Sequence, residues 1–440
     1  MQRRPAQRLL HRGIRSVFSL FPRSVRFAVY RSFVECDPAP DARLTLKIAE
    51  SREELEACFA LLHDAYVGSG FMRPHPSGMR VTIYHALPTT TTLCAKYDDE
   101  VVGTISLIRE SVFGFPLQAI FDLHGIREKG GRIAEVSALA VHPRFRKTGG
   151  SILFPLMKFM YEYCVTYFDT RHLVIAVNPD RIEMYESLLL FERLTENQVD
   201  NYDFVNGAPA VGASLDLYTA PRHLEQVYRG KPARKDLYGY FLHTRLKNIA
   251  MPNRRYFTTN DPVMTPVLLD YFFNQRTETF ESLTDRERGL LHSIYNIPEY
   301  LAVLPTVFSE SDFRRRQRSH ARYSLKCPGT FSVVSSGHAS LHPILVVEFS
   351  DDGFLAYSRA NLQVNQWGEA CIQLGKEEVS AVMAVVVRAK LRTSVGPHGA
   401  YSSYGFKVLQ PDLPWRKLVA ALKEGLTHAD LDNASEFLSD

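Results

Sequence analysis

The stretch AEVSALAVHPRFRKTGGSILFPLMKFMYEYC sets two kinds of reactive group close together. Glu135 and Ser137 lie two residues apart in an apolar run, so on a strand a carboxylate and a hydroxyl would point to one face. Further on, Arg146-Lys147-Thr148-Gly149-Gly150-Ser151 makes a glycine-rich turn that opens directly into an amphipathic helix. Glycines let backbone N–H groups turn toward an anion, and the helix adds the positive end of its dipole. The turn therefore reads as a phosphate cradle, with a helix N-cap as the plainer alternative. A nucleotide, a coenzyme A and a carrier-protein arm are all candidate sources of that phosphate. The order KTGGS is the reverse of the nucleotide-triphosphate loop, where glycines precede the lysine. No G-x-G-x-x-G fingerprint follows a strand either.

A second cluster lies far downstream. FRRRQRSHARYSLKCP places Arg314, Arg318 and Arg322 at four-residue intervals, and VVEFSDDGFLAYS follows it. Alone, the arginine run is a solvated charge run; its pairing with Glu348, Ser350 and Gly353 makes it a candidate site.

These groups need elements to hold them. After the Pro-rich CDPAPDARL, short strands and helices alternate. TLKIAES reads as a strand, and Ser51 with Glu54 has capping-box spacing for the helix REELEACFALLHDAYVGSG. TTTTLCAKYDDEVVGTISLIRES reads as a hairpin turning at DDE. GRIAEVSALAV, HLVIAV and AVGASLDLYT read as strands, and GSILFPLMKFMYEYCVTYF and PDRIEMYESLLL as helices, which together indicate an α/β domain. Residues 221–311 carry helical periodicity, including Thr284 and Glu287 at capping-box spacing, and read as a connector packed on both neighbours. From residue 312 strands separated by turn residues predict a small antiparallel β-barrel, and LPWRKLVAALKEGL predicts a closing helix.

Composition bounds the partners. At 440 residues the chain holds two or three domains, and a net charge of +4 gives no reason to expect a nucleic acid polymer. Cys36, Cys58, Cys94, Cys164, Cys327 and Cys371 are scattered without a CxxC pair or a nearby histidine partner. A metal site is therefore not expected, nor is a disulfide framework, and a cytoplasmic location follows. No apolar run reaches the roughly 18–20 residues of a spanning helix. The first thirty residues hold many arginines and no acidic residue, with Leu10, Ile14, Val17, Phe18 and Phe21 on one helical face and Val25, Val29 and Phe33 as a second stripe. Three readings of this segment stand: peripheral contact with the inner face of an anionic membrane, a helix packed on its own domain with arginines in solvent, and a transit peptide.

The motifs around the turn resemble the GNAT acyltransferase superfamily. Its [QR]-x-x-G-x-[GA] turn binds the pyrophosphate of acyl-coenzyme A; Arg146 and Gly149 match, and Ser151 departs from the final position. The resemblance makes Val141, Arg146, Gly149, Gly150 and Ser151 donor-binding candidates, and Tyr185, in NPDRIEMYESLLL, the candidate acid for the leaving thiolate. AEVSALAV, LLHDAYVGSGFM and NGAPAVGASLDL are more narrowly similar to acyl-homoserine-lactone synthases and FeeM-like N-acyl amino acid synthases, although His63 stands where many members have arginine. Those relatives move a long acyl chain from an acyl carrier protein to an amine. Such chemistry requires a base to make the amine neutral, for which Glu135 is the candidate, directly or through a water. A strand amide near Ala140 or Val141 is the candidate oxyanion donor, and Ser137 would orient the carboxylate or the water.

The second cluster resembles the PilZ domain, a bacterial receptor for cyclic di-GMP. Arg318-Ser-His-Ala-Arg322 matches its R-x-x-x-R motif, with Arg314 spaced four before it. Glu348-Phe-Ser350-Asp-Asp-Gly353 matches its [DN]-x-S-x-x-G motif, with Glu in the first place. Guanidinium forks pair with phosphates and guanine edges, and a carboxylate and a hydroxyl at alternate strand positions can accept from a guanine.

The resemblances imply a GNAT-like α/β acyltransferase domain at 46–220, a helical connector at 221–311, a PilZ-like antiparallel β-barrel at 312–412 and a C-terminal helix at 413–440, after a basic segment at 1–45. They imply an N-acyltransferase that takes a fatty acyl group from acyl carrier protein or acyl-CoA to an amino acid or similar amine, regulated by cyclic di-GMP, with no metal. An acetyl-CoA-dependent N-acetyltransferase and a catalytically silent cyclic di-GMP effector are the alternatives.

Overall fold

The computed structural model describes residues 21–146, 148–260, 264–295, 298–307, 322–335, 338–396 and 399–423. The apolar stripe from Leu10 to Phe18, and Arg314 and Arg318, lie outside the described residues.

The first domain is a mixed sheet with helices on both faces. Its strands are β1 (Leu44–Ile48), β2 (Thr90–Tyr97), β3 (Glu100–Arg109), β4 (Arg132–Val141), β5 (Thr170–Val177), β6 (Glu192–Arg193), β7 (Val199–Tyr202) and β8 (Ala208–Asp216). They run in the order β1-β2-β3-β4-β5-β8-β6, with β7 also paired to β8. Asp98 and Asp99 turn the β2–β3 hairpin with φ of 49° and 65°, a doubly left-handed turn that matches the twist of its strands. Glu100, expected within the turn, is already the first residue of β3.

Helix α1 (Arg23–Ser32) lies on α4 (Pro179–Leu188), α2 (Arg52–Ser69) covers one sheet face, and α3 (Leu153–Phe168) covers the other. Phe159, Tyr163 and Cys164 of α3 are fully buried against strand residues such as Leu46, Leu93 and Leu173. Each large apolar side chain so buried stabilises by about 1.5–3 kcal/mol, which fixes the helix on the sheet. Ser51 caps α2 by accepting from the Glu54 amide at 3.2 Å, but Glu54 reaches back to the Glu50 amide instead of closing the box on Ser51. Its carboxylate also takes Lys47 and Lys96, two cations that outcompete one more amide.

Arg8, Arg12 and Arg15 lie outside the described residues, and the arginines of α1 pair with the domain, Arg23 from a largely exposed position. Arg26 Nε donates to Glu183 at 3.0 Å and Arg31 Nε to the Ser187 carbonyl at 2.9 Å, while Arg23 pairs with Glu186. The apolar stripe faces outward instead: Phe21, Val25 and Phe33 are exposed, Phe33 at 76%.

The connecting region splits three ways. Helices α5 (Ala220–Tyr228) and α6 (Leu237–Leu242) pack against α3, where the buried Lys158 ammonium donates to the Phe241 carbonyl at 3.0 Å. An extended segment then pairs Ile249 with Leu46 of β1, and Tyr256 and Thr258 with barrel residues Gly375 and Leu325. The rest, with α7 (Asp285–Ile294), packs on α2 through Leu269, Phe272 and Leu291. Thr284 and Glu287 form the full capping box at the start of α7. Residues 270–276, expected to be an ordinary helix, wind as a π-helix, with the Thr277 hydroxyl bonded to the Phe272 carbonyl at its end.

The second domain is a closed antiparallel barrel. Its strands β9 (Tyr323–Ser335), β10 (His338–Phe349), β11 (Gly353–Ser358), β12 (Trp367–Gln373), β13 (Val379–Gly396) and β14 (Gly399–Val408) close in the order β10-β11-β14-β13-β12-β9. Strict alternation along β12 puts Gly368, Ala370 and Ile372 inward and Trp367, Glu369, Cys371 and Gln373 outward. Helix α8 (Leu413–Lys423) seals one end, with Trp415 stacked on Phe349 at 3.7 Å between ring centres.

Candidate functional site

The site begins where two neighbouring strands part. Parallel pairing of β4 with β5 runs only from Arg132 to Glu135 against Thr170 to Val174. From Val136 onward the β5-facing edge of β4 has no strand partner among the described residues, so backbone groups there are open to a ligand. β4 is also bulged: Ala138 sits at φ 53°, and the register against β3 slips between Thr104 and Ser106. A left-handed alanine is strained by roughly 1–2 kcal/mol, and a bulge re-aims the residues around it.

The gap opens into a cavity of about 300 Å³. Its walls are mostly apolar: Ile105, Met157, Met160 and Leu173 on one side, and Leu224, Phe241 and Leu242 of α5 and α6 at another. Ser137 and Tyr185 both line it, as do Tyr66, Arg181 and Tyr202.

Glu135 is not in that lining. It sits in the sheet layer beside it, 2% exposed, with Oε2 accepting from the Leu117 amide at 3.0 Å. Burial pushes its carboxyl up to about 8, with the Leu117 bond pulling the other way. Tyr202, which does line the cavity, and Tyr84 lie within its electric field. Burial also raises the Tyr185 phenol, so it stays protonated, and its ring meets Phe191 edge-on at 6.0 Å.

The glycine turn lies at the start of α3. Gly149 and Gly150 take φ of 67° and 91°, and a Cβ on Gly150 would come within 2.5 Å of the Phe154 ring. Thr148 Oγ1 bonds the Phe145 carbonyl at 2.8 Å and the Ser151 hydroxyl at 2.6 Å, which ties the turn together. Arg146 Nε folds back onto the Val141 carbonyl at 2.8 Å, fastening the turn to the end of β4. The turn thus hangs between the open strand edge and the helix that walls the cavity. Lys147 is outside the described residues.

At the barrel rim, Arg322 Nη1 meets Glu348 Oε2 at 3.0 Å, with both side chains substantially exposed. The residue just before Glu348 is bulged out of the pairing with β9 and β11. Ser350 bonds the Gly353 carbonyl through both its amide and its hydroxyl, at 2.8 and 2.9 Å. A Cβ on Gly353 would lie 2.6 Å from the Phe406 carbonyl, so only glycine fits there. Trp415 Nε1 donates to the Ser350 and Asp351 carbonyls, so α8 braces the same turn. No group of metal-ligating side chains occurs among the described residues, and no helix among them is long and apolar enough to cross a membrane.

Tyr202, Tyr84, Tyr66 and Arg80 were not expected from sequence as site neighbours. They come from a helix, a short 3-10 turn, a loop and a strand end far apart in the chain, and although Tyr66 lies in LLHDAYVGSGFM only the fold gathers them around Tyr202.

Residues 57–216 match the family model described as N-acyl amino acid synthase FeeM. No curated protein matches the chain. Among solved structures, FeeM, an N-acyl amino acid synthase from uncultured soil microbes, is 22% identical over 41% of this chain and 94% of its own, with a TM-score of 0.36. The CoA-dependent acyl-homoserine lactone synthase BjaI with SAM and isopentyl-CoA is 19% identical over 42% of this chain and 89% of its own, with a TM-score of 0.32. The PilZ domain with c-di-GMP of YcgR from Escherichia coli is 13% identical over 28% of this chain and 99% of its own, with a TM-score of 0.22.

Proposed function

We propose that this chain, whose residues 57–216 form an N-acyltransferase domain of the FeeM N-acyl amino acid synthase type, moves a fatty acyl group from a pantetheine thioester to the amine of an amino acid or similar acceptor. The observation that carries the reading is the apolar cavity of about 300 Å³ opened by the parting of β4 and β5 beside a buried glutamate. Its volume and mostly apolar walls suit a long acyl chain better than an acetyl group.

In the proposed reaction Glu135 takes a proton from the acceptor ammonium, directly or through a water. The freed nitrogen lone pair attacks the thioester carbonyl, and an amide near Ala140 or Val141 on the open edge of β4 stabilises the oxyanion. The C–S bond then breaks as Tyr185 protonates the departing thiolate, and the second proton of the new amide nitrogen passes to the Tyr185 phenolate, leaving a C–N bond and a free thiol. Ser137 orients the carboxylate or its water. Val141, Arg146, Gly149, Gly150 and Ser151 hold the phosphate of the donor arm, which belongs to an acyl carrier protein or to acyl-CoA.

Cyclic di-GMP is the proposed ligand of the barrel, held by Arg314, Arg318, Arg322, Glu348, Ser350 and Gly353. Helix α3 supports a route between the two sites. Its start carries the glycine turn, and its end, Asp169 at φ 50°, pairs with Lys326 of β9. Beside it, Arg254 donates to the Tyr163 hydroxyl of α3 and to the Thr258 carbonyl, in the segment that pairs with the barrel. The outward Phe21, Val25 and Phe33 of the α1 region support peripheral membrane contact, where an amphiphilic product would be released.

Lipid mass spectrometry of cells expressing the intact chain or its Glu135→Gln variant tests the reading. New N-acylated species are expected only with the intact chain, and their presence in equal amounts with both would overturn the assignment of the base.

A further inference from the structure

Arg80 is a cation without an anion. It enters from the loop after α2, fixed by its amide donating to the Phe59 carbonyl at 3.0 Å. Its guanidinium lies over the Tyr66 ring at 4.1 Å and the Phe204 ring at 4.9 Å from the ring centres. Nη2 donates to the Phe204 carbonyl at 2.9 Å. No carboxylate pairs with it among the described residues, and burial holds its pKa below the ordinary arginine value. Contrast Arg26, Arg171 and Arg193, each matched to an acidic side chain. A partly buried guanidinium with donors to spare is costly unless something anionic comes to it.

A second, independent observation lies next to it. Tyr202 is 3% exposed and lines the acyl cavity, yet its hydroxyl has no hydrogen-bond partner among the described residues. Buried hydroxyls in native proteins nearly always find one, so an unfilled one on a cavity wall points to a missing polar ligand. Its ring stacks on Phe204, 5.7 Å between centres, the same ring that Arg80 covers, and Glu135, Tyr84, Tyr66 and Arg80 all act on it electrostatically. An acid, a fixed cation and an unfilled hydroxyl thus gather at the edge of the cavity, with Tyr66 and Tyr202 in its lining and Glu135 and Arg80 behind them. A zwitterion of the ammonium-carboxylate type carries the complementary charges.

We propose that Arg80 anchors the carboxylate of the acceptor amino acid, with the Tyr202 hydroxyl as a second donor, so that the amine is presented to Glu135. This rests on the N-acyltransferase reading and narrows its acceptor to amines that carry a nearby carboxylate. The Tyr66 and Phe204 rings hold the guanidinium flat, which leaves its edge for a bidentate pair. Tyr66 and Tyr202 also line the acyl cavity, which sets the acceptor chamber against the path of the thioester.

The test compares acceptors on the full-length protein with a long-chain acyl-CoA or acyl carrier protein as donor. A panel of α-amino acids is run against the matching carboxamides and decarboxylated amines. The intact protein should prefer the carboxylate members by tenfold or more in kcat/KM. Arg80→Gln should raise KM for the amino acids about ten- to a hundredfold, leave kcat within a few-fold, and leave the carboxamides unaffected. Arg80→Lys should recover part of the preference, and Tyr202→Phe should lose a smaller part, while thermal melts show all three folded. Equal use of carboxamides by the intact protein, or a preference that survives Arg80→Gln, would overturn the proposal. So would its loss in Arg181→Gln, at the exposed mouth of the cavity, but not in Arg80→Gln. If the intact protein acylates no amine, the transferase reading fails by itself. Calorimetry of the same amino acids then decides the anchor: binding abolished by Arg80→Gln supports it, and unchanged or absent binding refutes it.

Discussion

Glu135 in the cleft is 2% exposed and accepts a single backbone amide, whereas Glu348 at the barrel rim has a side chain 39% exposed and faces the Arg322 guanidinium at 3.0 Å. Both are strand glutamates in the two proposed sites, yet their surroundings prepare them for opposite tasks. Burial without a cation favours the neutral acid and lifts Glu135 to about 8, which makes it a base of useful strength near neutral pH. Exposure and a cation keep Glu348 in an ion pair that a ligand can open at small cost, since such pairs are worth only about 0–1 kcal/mol. The proposed catalytic carboxyl is thus buried and unpaired by a cation among the described residues, and the proposed ligand-binding one exposed and paired.

The largest effect should come from erasing the first half of that contrast. Glu135→Gln is expected to lower acyl transfer by about 10²–10⁴-fold and to remove the rise of kcat/KM with pH through about 8. Stability should move the other way. A carboxyl whose folded-state pKa is raised from an ordinary 4.5 to about 8 favours the fold while it is protonated. That advantage, intact at low pH, is lost as pH climbs through 8. Glu135→Gln should therefore match the parent in thermal melts near pH 4 and exceed it at pH 9, by an amount of the order of a few kcal/mol. Equal melts at pH 9 would mean the carboxylate is better solvated than its burial implies.

How far these sites were legible in the sequence follows from whether their signals are local. The hairpin at Asp98 and Asp99, the capped helix at Thr284 and the barrel strands show in residue type and alternation, because turn chemistry and pleat act over a few residues. The glycine turn was visible for the same reason. The bulge at Ala138 was not, since nothing about an alanine announces a left-handed φ that tertiary structure imposes. The arginines of α1 have their partners, Glu183 and Glu186, some 160 residues away, so the segment's amphipathic pattern was readable but its inward face was not. The chamber around Tyr202 is the extreme case, drawn from the Tyr66, Arg80 and Phe204 regions with no motif linking them.

A smaller effect is expected at the donor turn, which is rigid like the cleft but exposed like the rim. Gly150→Val would place a branched side chain at φ 91° and into the Phe154 ring. About 1–3 kcal/mol of strain should appear as a raised KM for the acyl donor, with acceptor KM unchanged. A uniform fall in kcat instead would assign the turn to holding α3 and not to holding phosphate.

At the rim, Arg322→Ala should abolish cyclic di-GMP binding in calorimetry and Glu348→Gln should weaken it several-fold. Neither should shift the melting temperature by much, because the pair they break is exposed. A large drop in stability would contradict the contrast with Glu135 by showing that this ion pair holds the barrel together.

The smallest structural effect, and the sharpest on the relation between the regions, is expected from Lys326→Met. This lysine joins β9 to Asp169 at the end of α3, and both side chains are partly exposed, 34% and 44%. Its loss should cost less than about 1 kcal/mol of stability. Cyclic di-GMP affinity should hold, since Arg322 and Glu348 are untouched, and acyl transfer without the ligand should hold as well. What should disappear is the change in acyl transfer when cyclic di-GMP is added, because reciprocal coupling requires an element that both sites bias. Helix α3 is such an element only if its Asp169 end senses β9. A response that persists in Lys326→Met but vanishes when Arg254 is replaced would move the route to the segment that joins Tyr163 to Thr258.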